Sequence, residues 1–241
     1  MFASRTTLSS GVIAVALGAA LTASSSTLAG PPPAQKAPVE LEVSKIFWEY
    51  NSTDNDLGVQ VSLDGEEWQR LKIVNPVGKT IFNVAGKGPY KQLGLSELFF
   101  EGAEPTLTDF PLQDLLDLFP EGQYDFKGAT IDGEKVTGSW MFTHAIPAGP
   151  EVSTEQGPGD LLRIHWTAVT GNPPDFPVEP VTITGYQVIV EPFQVTVPAN
   201  VLSVTVPPEF VASLDPGEHG FEVLAIDASA NQTITSGTFV K

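Results

Sequence analysis

The sequence predicts an all-β chain built from two sheet-based modules. Two observations carry that reading. Apolar and polar residues alternate over many short runs, which is the period of a half-buried strand. Those runs are punctuated by 22 glycines and 21 prolines, the residues that make tight turns and stop ladders. Composition then narrows the chemistry. Cysteine is absent, which removes disulfides, thiol catalysis, iron–sulfur clusters and cysteine-ligated zinc. Acids outnumber bases 29 to 12, for a net charge of −17. Such a surface repels phosphate backbones, so neither nucleic acid nor an anionic membrane is an expected partner. The acidity mainly keeps the chain dissolved.

Residues 1–29 have the pattern of a secretory signal. Arg5 supplies the positive start, Gly11–Leu21 is an uncharged apolar core, and Thr27-Leu28-Ala29 places small residues at the cleavage positions. The apolar core is short for a permanent anchor, so no stable membrane insertion is expected after cleavage. The expected location is outside the cytoplasm: periplasm, cell surface or medium. Residues 30–38 form a proline-rich linker that favours an extended chain.

Residues 39–147 read as a sandwich-like β domain with short helical insertions. Strand candidates are Leu41–Trp48, Val59–Leu63, Trp68–Ile73 and Thr80–Val84. Asp64-Gly65 predicts a two-residue hairpin turn between the second and third, and Asn75–Gly78 a turn before the fourth. Tyr124–Thr130 and Val136–Phe142 flank Asp132-Gly133, a second hairpin signal. Trp48 and Trp68 are expected in the core. Leu95–Phe100 reads as one or two helical turns. Leu112, Leu115, Leu116 and Phe119 share one helical face, predicting a short helix over about 110–119. Thr108 or Asp109 is the expected cap, Pro111 suits the first turn, and Pro120 stops the helix. Ala145–Pro150 is the expected domain boundary.

In residues 150–241, Leu162, Ile164 and Trp166 alternate toward a core, as do Tyr186, Val188 and Val190. Leu214-x-Pro216-Gly217 then leads into Phe221-x-Val223-x-Ala225, and Asn231–Phe239 supplies a last strand. These runs resemble the second, third, sixth and last strands of a fibronectin type III domain, an immunoglobulin-like sandwich of about 100 residues. The family's corner tyrosine is replaced by His219, whose imidazole can make a similar backbone bond. The resemblance implies a fold and no active site. Folds of this kind host adhesion, spacing and carbohydrate-enzyme accessory roles alike.

The most suggestive polar stretch is Glu49–Gly58. Asn51, Asp54 and Asp56 are the candidate calcium ligands, because hard cations take several oxygens on a bending loop. Asp54-x-Asp56-x-Gly58 echoes part of a calcium loop but lacks its distant bidentate glutamate. The competing reading is a polar turn whose Asn and Asp bond their own backbone. The same acids, with Glu49 and Asp64, are also candidates for a glycosidase pair. Gly78-Lys79-Thr80 is no phosphate loop, since the position five residues before Gly78 is Ile73. Asn51-Ser52-Thr53 and Asn231-Gln232-Thr233 fit the glycosylation sequon. His144, His165 and His219 lie far apart in sequence and show no metal spacing. The reading that follows is an exported, non-catalytic protein that binds, adheres or spaces, its partner an unidentified extracellular protein or glycan. The alternatives are a carbohydrate-active hydrolase or sugar binder, and a calcium-stiffened adhesion protein.

Overall fold

The computed structural model describes residues 36–241. The expected signal at 1–29 and residues 30–35 of the linker lie outside the described residues. The fold is all-β, with short helical insertions. Fourteen strands and three short helices follow in order among the described residues: β1 (Val39–Glu40), β2 (Val43–Asn51), β3 (Asp56–Val74), β4 (Thr80–Ala85), α1 (Pro89–Leu93), β5 (Leu95–Glu101), α2 (Leu112–Leu118), β6 (Gly122–Thr130), β7 (Lys135–Phe142), β8 (Val152–Gly157), β9 (Leu161–Trp166), β10 (Ile183–Val190), β11 (Phe193–Pro198), β12 (Ser203–Val206), α3 (Pro208–Ser213), β13 (Glu218–Asp227) and β14 (Gln232–Val240).

β3 organises the first half. Its early residues pair with β2 on one side and β5 on the other; its later residues pair with β4 and β6. Asp64-Gly65 therefore does not turn the chain. It lies within one 19-residue strand, where the ladder to β5 shifts register between Asp64 and Trp68. The reason is tertiary. Gly65 lies against Leu41, where a Cβ would come within 3.1 Å of Cδ2 and 3.3 Å of Cα. The glycine is needed for a close approach rather than for a turn. At Asp132-Gly133 the expected hairpin does form, with Gly133 at φ 83° and β6 pairing β7 through eight residue pairs.

Leu95–Phe100 is likewise not helical. It forms most of β5, where Leu98 and Phe100 pack inward between exposed Glu97, Phe99 and Glu101. The period is two, and the open side of β3 supplies the ladder bonds that a single helical turn would lack. The neighbouring helix is α1, one turn earlier. α2 matches expectation at 112–118: Leu115 and Leu116 are buried, and Gln113, Asp114 and Asp117 face outward. Its start differs. Pro111 is the cap and makes no side-chain bond, while Thr106 and Asp109 close the turn before it.

The first core gathers Trp48, Trp68, Tyr124, Phe126 and Phe142 with the β2 and β3 aliphatics. The second half packs two sheets face to face. Leu162, Ile164, Trp166 and Val206 come from the order β12-β9-β8; Tyr186, Val188, Val190, Phe221, Val223, Ala225 and Phe239 come from β14-β13-β10-β11. His219 makes the corner bond expected of it, its Nε2 2.8 Å from the Asp215 carbonyl.

The halves share one sheet. β14 lies parallel to β2, with Gln232 opposite Glu49 and Ile234 opposite Asn51, so an 11-stranded sheet runs through both. The expected boundary is packed rather than solvated: Ala145, Ile146 and Pro147 are buried. Asn231 holds this joint. Its Oδ1 accepts from the Trp48 amide at 2.9 Å, and its Nδ2 donates to the carbonyls of Thr143 (3.0 Å) and Ala145 (3.2 Å). The residue has no exposed surface, so in the folded chain this sequon is closed to glycosylation. Asn231→Ala is expected to cost about 2–3 kcal/mol in urea unfolding, because it strands an amide and two carbonyls away from water. A loss below about 1 kcal/mol would mean that the β2–β14 ladder alone carries the joint.

Candidate functional site

The register of β2 with its neighbours builds an acidic row beside the joint. Glu49 stands opposite Gly58 on β3 and Gln232 on β14, while Gln60 stands opposite Glu101 on β5. Gln232 donates its amide to Glu49, and Gln60 Nε2 lies 3.4 Å from Glu101 Oε1. Glu104, in the loop after β5, fills the space that Gly58 leaves, and a Cβ at Gly58 would overlap its side chain. Carboxylate oxygens of Glu49, Glu101 and Glu104 all fall within 4.8 Å of one another.

Like charges this close favour sharing protons over full ionisation. Burial, then the hydrogen bond and charge of Glu101, with Glu49 and Asp56 beyond, push the Glu104 carboxyl up to about 8. Burial also holds half-buried Glu49 above the usual carboxylate range, against the pull of the Gln232 bond. The same holds for Glu222 on β13, which feels Glu191 and Asp54 in addition.

The candidate calcium ligands sit next to this row, in the turn between β2 and β3. Asn51 Oδ1 accepts from the amides of Thr53 (3.0 Å) and Asp54 (3.2 Å), and its Nδ2 donates to Asp54 Oδ2 at 2.9 Å. Asn55 takes φ 57°, and its Oδ1 accepts from the Tyr50 hydroxyl. The oxygen that Asn51 would offer a cation is thus occupied by two backbone amides. Burial and the charge of Asp54 hold the Asp56 carboxyl above its ordinary range.

Of the acids considered as a catalytic pair, Asp64 is set apart. It lies eight residues along β3 from Asp56, about 26 Å at strand rise. Glu49 keeps company instead with Glu101 and Glu104, which the sequence reading did not single out. Their signal is faint: two glutamates flanking Gly102-Ala103 at the end of an alternating run. Trp48 and Trp68 are fully buried, as expected, and offer no stacking platform. A cavity of about 380 Å³ opens under α2, lined by Trp48, Leu57, Val59, Phe110, Leu115 and Phe119 among others. Its lining holds no carboxylate, although Gly58, Gly102, Ala103 and Pro105 line it next to Glu104.

A raised carboxyl pKa favours the folded state when protonated. The contribution of Glu104 is therefore full below the ordinary glutamate range and is lost as pH rises toward about 8. Glu49 and Glu222 act in the same direction. Glu104→Gln should flatten the fall in melting temperature with rising pH and raise it by a few degrees under alkaline conditions. Glu104 reaches solvent, so screening keeps the effect modest. Scanning calorimetry at acid and alkaline pH checks it; parallel curves for variant and parent would mean the carboxyls do not share protons.

No protein-family model matches the chain, and no curated protein sequence does. Among solved structures it is similar in part to the spore cortex lytic enzyme SleM of Clostridium perfringens, at 16% identity over 39% of this chain and 28% of that one (TM-score 0.32). It is similar to a bacterial ice-binding adhesin of 1.5 MDa at 12% identity, covering 86% of this chain and 65% of that one (TM-score 0.25). A third likeness is to the BSP domain of a biofilm associated protein, at 14% identity over 83% and 30% (TM-score 0.27). The chain spans less than two thirds of each of these structures. At such TM-scores the likenesses place no constraint on fold or function.

Proposed function

We propose that this chain is an exported, non-catalytic module that holds two β units at a fixed relation, as a spacer or adhesion segment. The observation that carries the reading is the joint. A flexible two-domain binder needs a solvated linker, whereas here the connection is buried and β14 extends the sheet of the first half. The second half is read as fibronectin type III-like. In support stand its two facing sheets and the His219 corner bond. Export is supported by the amino-terminal pattern. Among the described residues no helix is long and apolar enough to cross a membrane. The partner is a protein or glycan outside the cell.

The hydrolase reading has one specific support, the convergence of Glu49, Glu101 and Glu104. Against it, the neighbouring cavity is apolar and the nearby tryptophans are inside the core. A catalytic pair needs a cleft that holds a sugar ring between the two groups.

Two measurements test the proposal. Calorimetry of the mature chain should give one cooperative transition, with calorimetric and van't Hoff enthalpies equal. Chromogenic glycosides should not turn over above the rate of a Glu49→Gln/Glu101→Gln/Glu104→Gln triple variant. Two separate melting transitions would remove the rigid spacer; turnover abolished in the triple variant would replace it with the hydrolase.

A further inference from the structure

Glu121, His144 and Glu179 come from three separate segments: the turn before β6, the residues just after β7, and the long loop between β9 and β10. One potential ligand atom from each lies within 4.8 Å of the others. Their distance in sequence hides this grouping. The His144 Nε2 is 2.9 Å from the carbonyl oxygen of Phe119. A carbonyl only accepts, so Nε2 carries the hydrogen and Nδ1 of the neutral ring keeps its lone pair. That is the tautomer, and the backbone backing, that a metal-bound imidazole uses. The ring is also fixed by packing: its centroid is 6.1 Å from Trp48 and 6.0 Å from Phe142, the latter perpendicular to it.

The carboxylates are placed with similar care. Glu121 Oε1 accepts from the His144 amide at 2.6 Å, which fixes the carboxylate beside the ring. Asn172 positions the loop of Glu179. Its Oδ1 accepts from the Glu179 amide at 3.0 Å, while its Nδ2 donates to the Ile146 carbonyl at 2.9 Å. Glu179 then closes on Glu121. Among the described residues neither glutamate has a lysine or arginine within ion-pair distance.

We propose that Glu121, His144 Nδ1 and Glu179 bind one divalent cation of the zinc class, with water completing the coordination. The donor set decides the class. Two carboxylate oxygens and one imidazole nitrogen suit zinc, whereas calcium takes oxygens alone. Bonds of about 2.0–2.2 Å require ligand atoms roughly 3.4 Å apart, so side-chain movements on the order of 1 Å close the site. The cation ties the end of β7 and the turn before β6 to the β9–β10 loop, so it braces the two halves next to the Asn231 joint, where Thr143 and Ala145 flank His144.

The test is a zinc titration of the chelator-stripped mature chain by calorimetry. The expected result is one saturable micromolar site and a higher melting temperature. Loss of a residue that merely hydrogen-bonds a metal ligand costs about 10–100-fold in metal affinity, so Glu179→Gln and His144→Asn should each weaken binding by at least about tenfold. Glu179 lies on a loop, which keeps its variant informative if the His144 variant unfolds. Glu104→Gln should leave binding unchanged. No saturable zinc binding, equal binding by the Glu179→Gln variant, or a preference for calcium over zinc would each overturn the proposal.

Discussion

A single carboxamide holds the two halves together. The site offers one backbone amide, from Trp48, and two carbonyls, from Thr143 and Ala145, all beyond the reach of water. Meeting them takes one acceptor and two donors on a short planar group, which only an amide side chain supplies. Asparagine rather than glutamine fits because the backbone itself comes close: β14 begins at the next residue. The preceding turn is built to present it. Asp227 accepts from the Asp227–Asn231 turn through Ser229 and from the Thr182 amide, Ala230 takes φ 68°, and the Asn231 carbonyl returns to the Asp227 amide.

From that anchor the β2–β14 ladder runs for only three residue pairs. Hydroxyls then take over. Ser52 donates its hydroxyl and its amide to the Ile234 carbonyl, and the Thr53 hydroxyl accepts from the Ser236 amide. Gly149 sits so close to Ser52 and Thr235 that a Cβ there would collide with both. The polar turn after β2, which looks from sequence like a cation loop, therefore has structural work. Its Asn51 caps the turn inwardly, and its Ser52 and Thr53 hold Ile234, Thr235 and Ser236 of β14.

Most of the secondary structure was legible because it follows local period. Trp166, Tyr186 and Phe221 fall on the buried faces that simple alternation assigns them. What failed locally was decided at a distance. Asp132-Gly133 turns the chain and Asp64-Gly65 does not, although the dipeptides are identical. The difference lies in Leu41 packing on Gly65 and in β5 pairing across the bend, neither of which is local information. The error at Leu95–Phe100 has the same origin, since that run becomes a strand only because β3 has an open side. The acidic row was half legible for this reason. Glu49 stands out in its own stretch, but Glu101 and Glu104 reach it through the β3–β5 register. Asn231 was visible only as a sequon, because nothing in Asn-Gln-Thr says which amide will be buried.

The distribution of charge adds a last consequence. With 29 acids and 12 bases, carboxylates must often face each other rather than a cation. Among the described residues, ion pairs are few and mostly exposed, and such pairs contribute little. The crowded carboxylates instead collect at the contact between the halves: Glu49 bonds across to Gln232 on one side, and Glu121 meets Glu179 on another. Carboxylate repulsion thus bears on the join between the two halves. Protons relieve it when the medium is acid, which reverses the usual loss of carboxylate stabilisation on acidification. A joint held by neutral hydrogen bonds from Asn231, Ser52 and Thr53 is the arrangement that tolerates such charge, because none of those bonds changes its charge with pH.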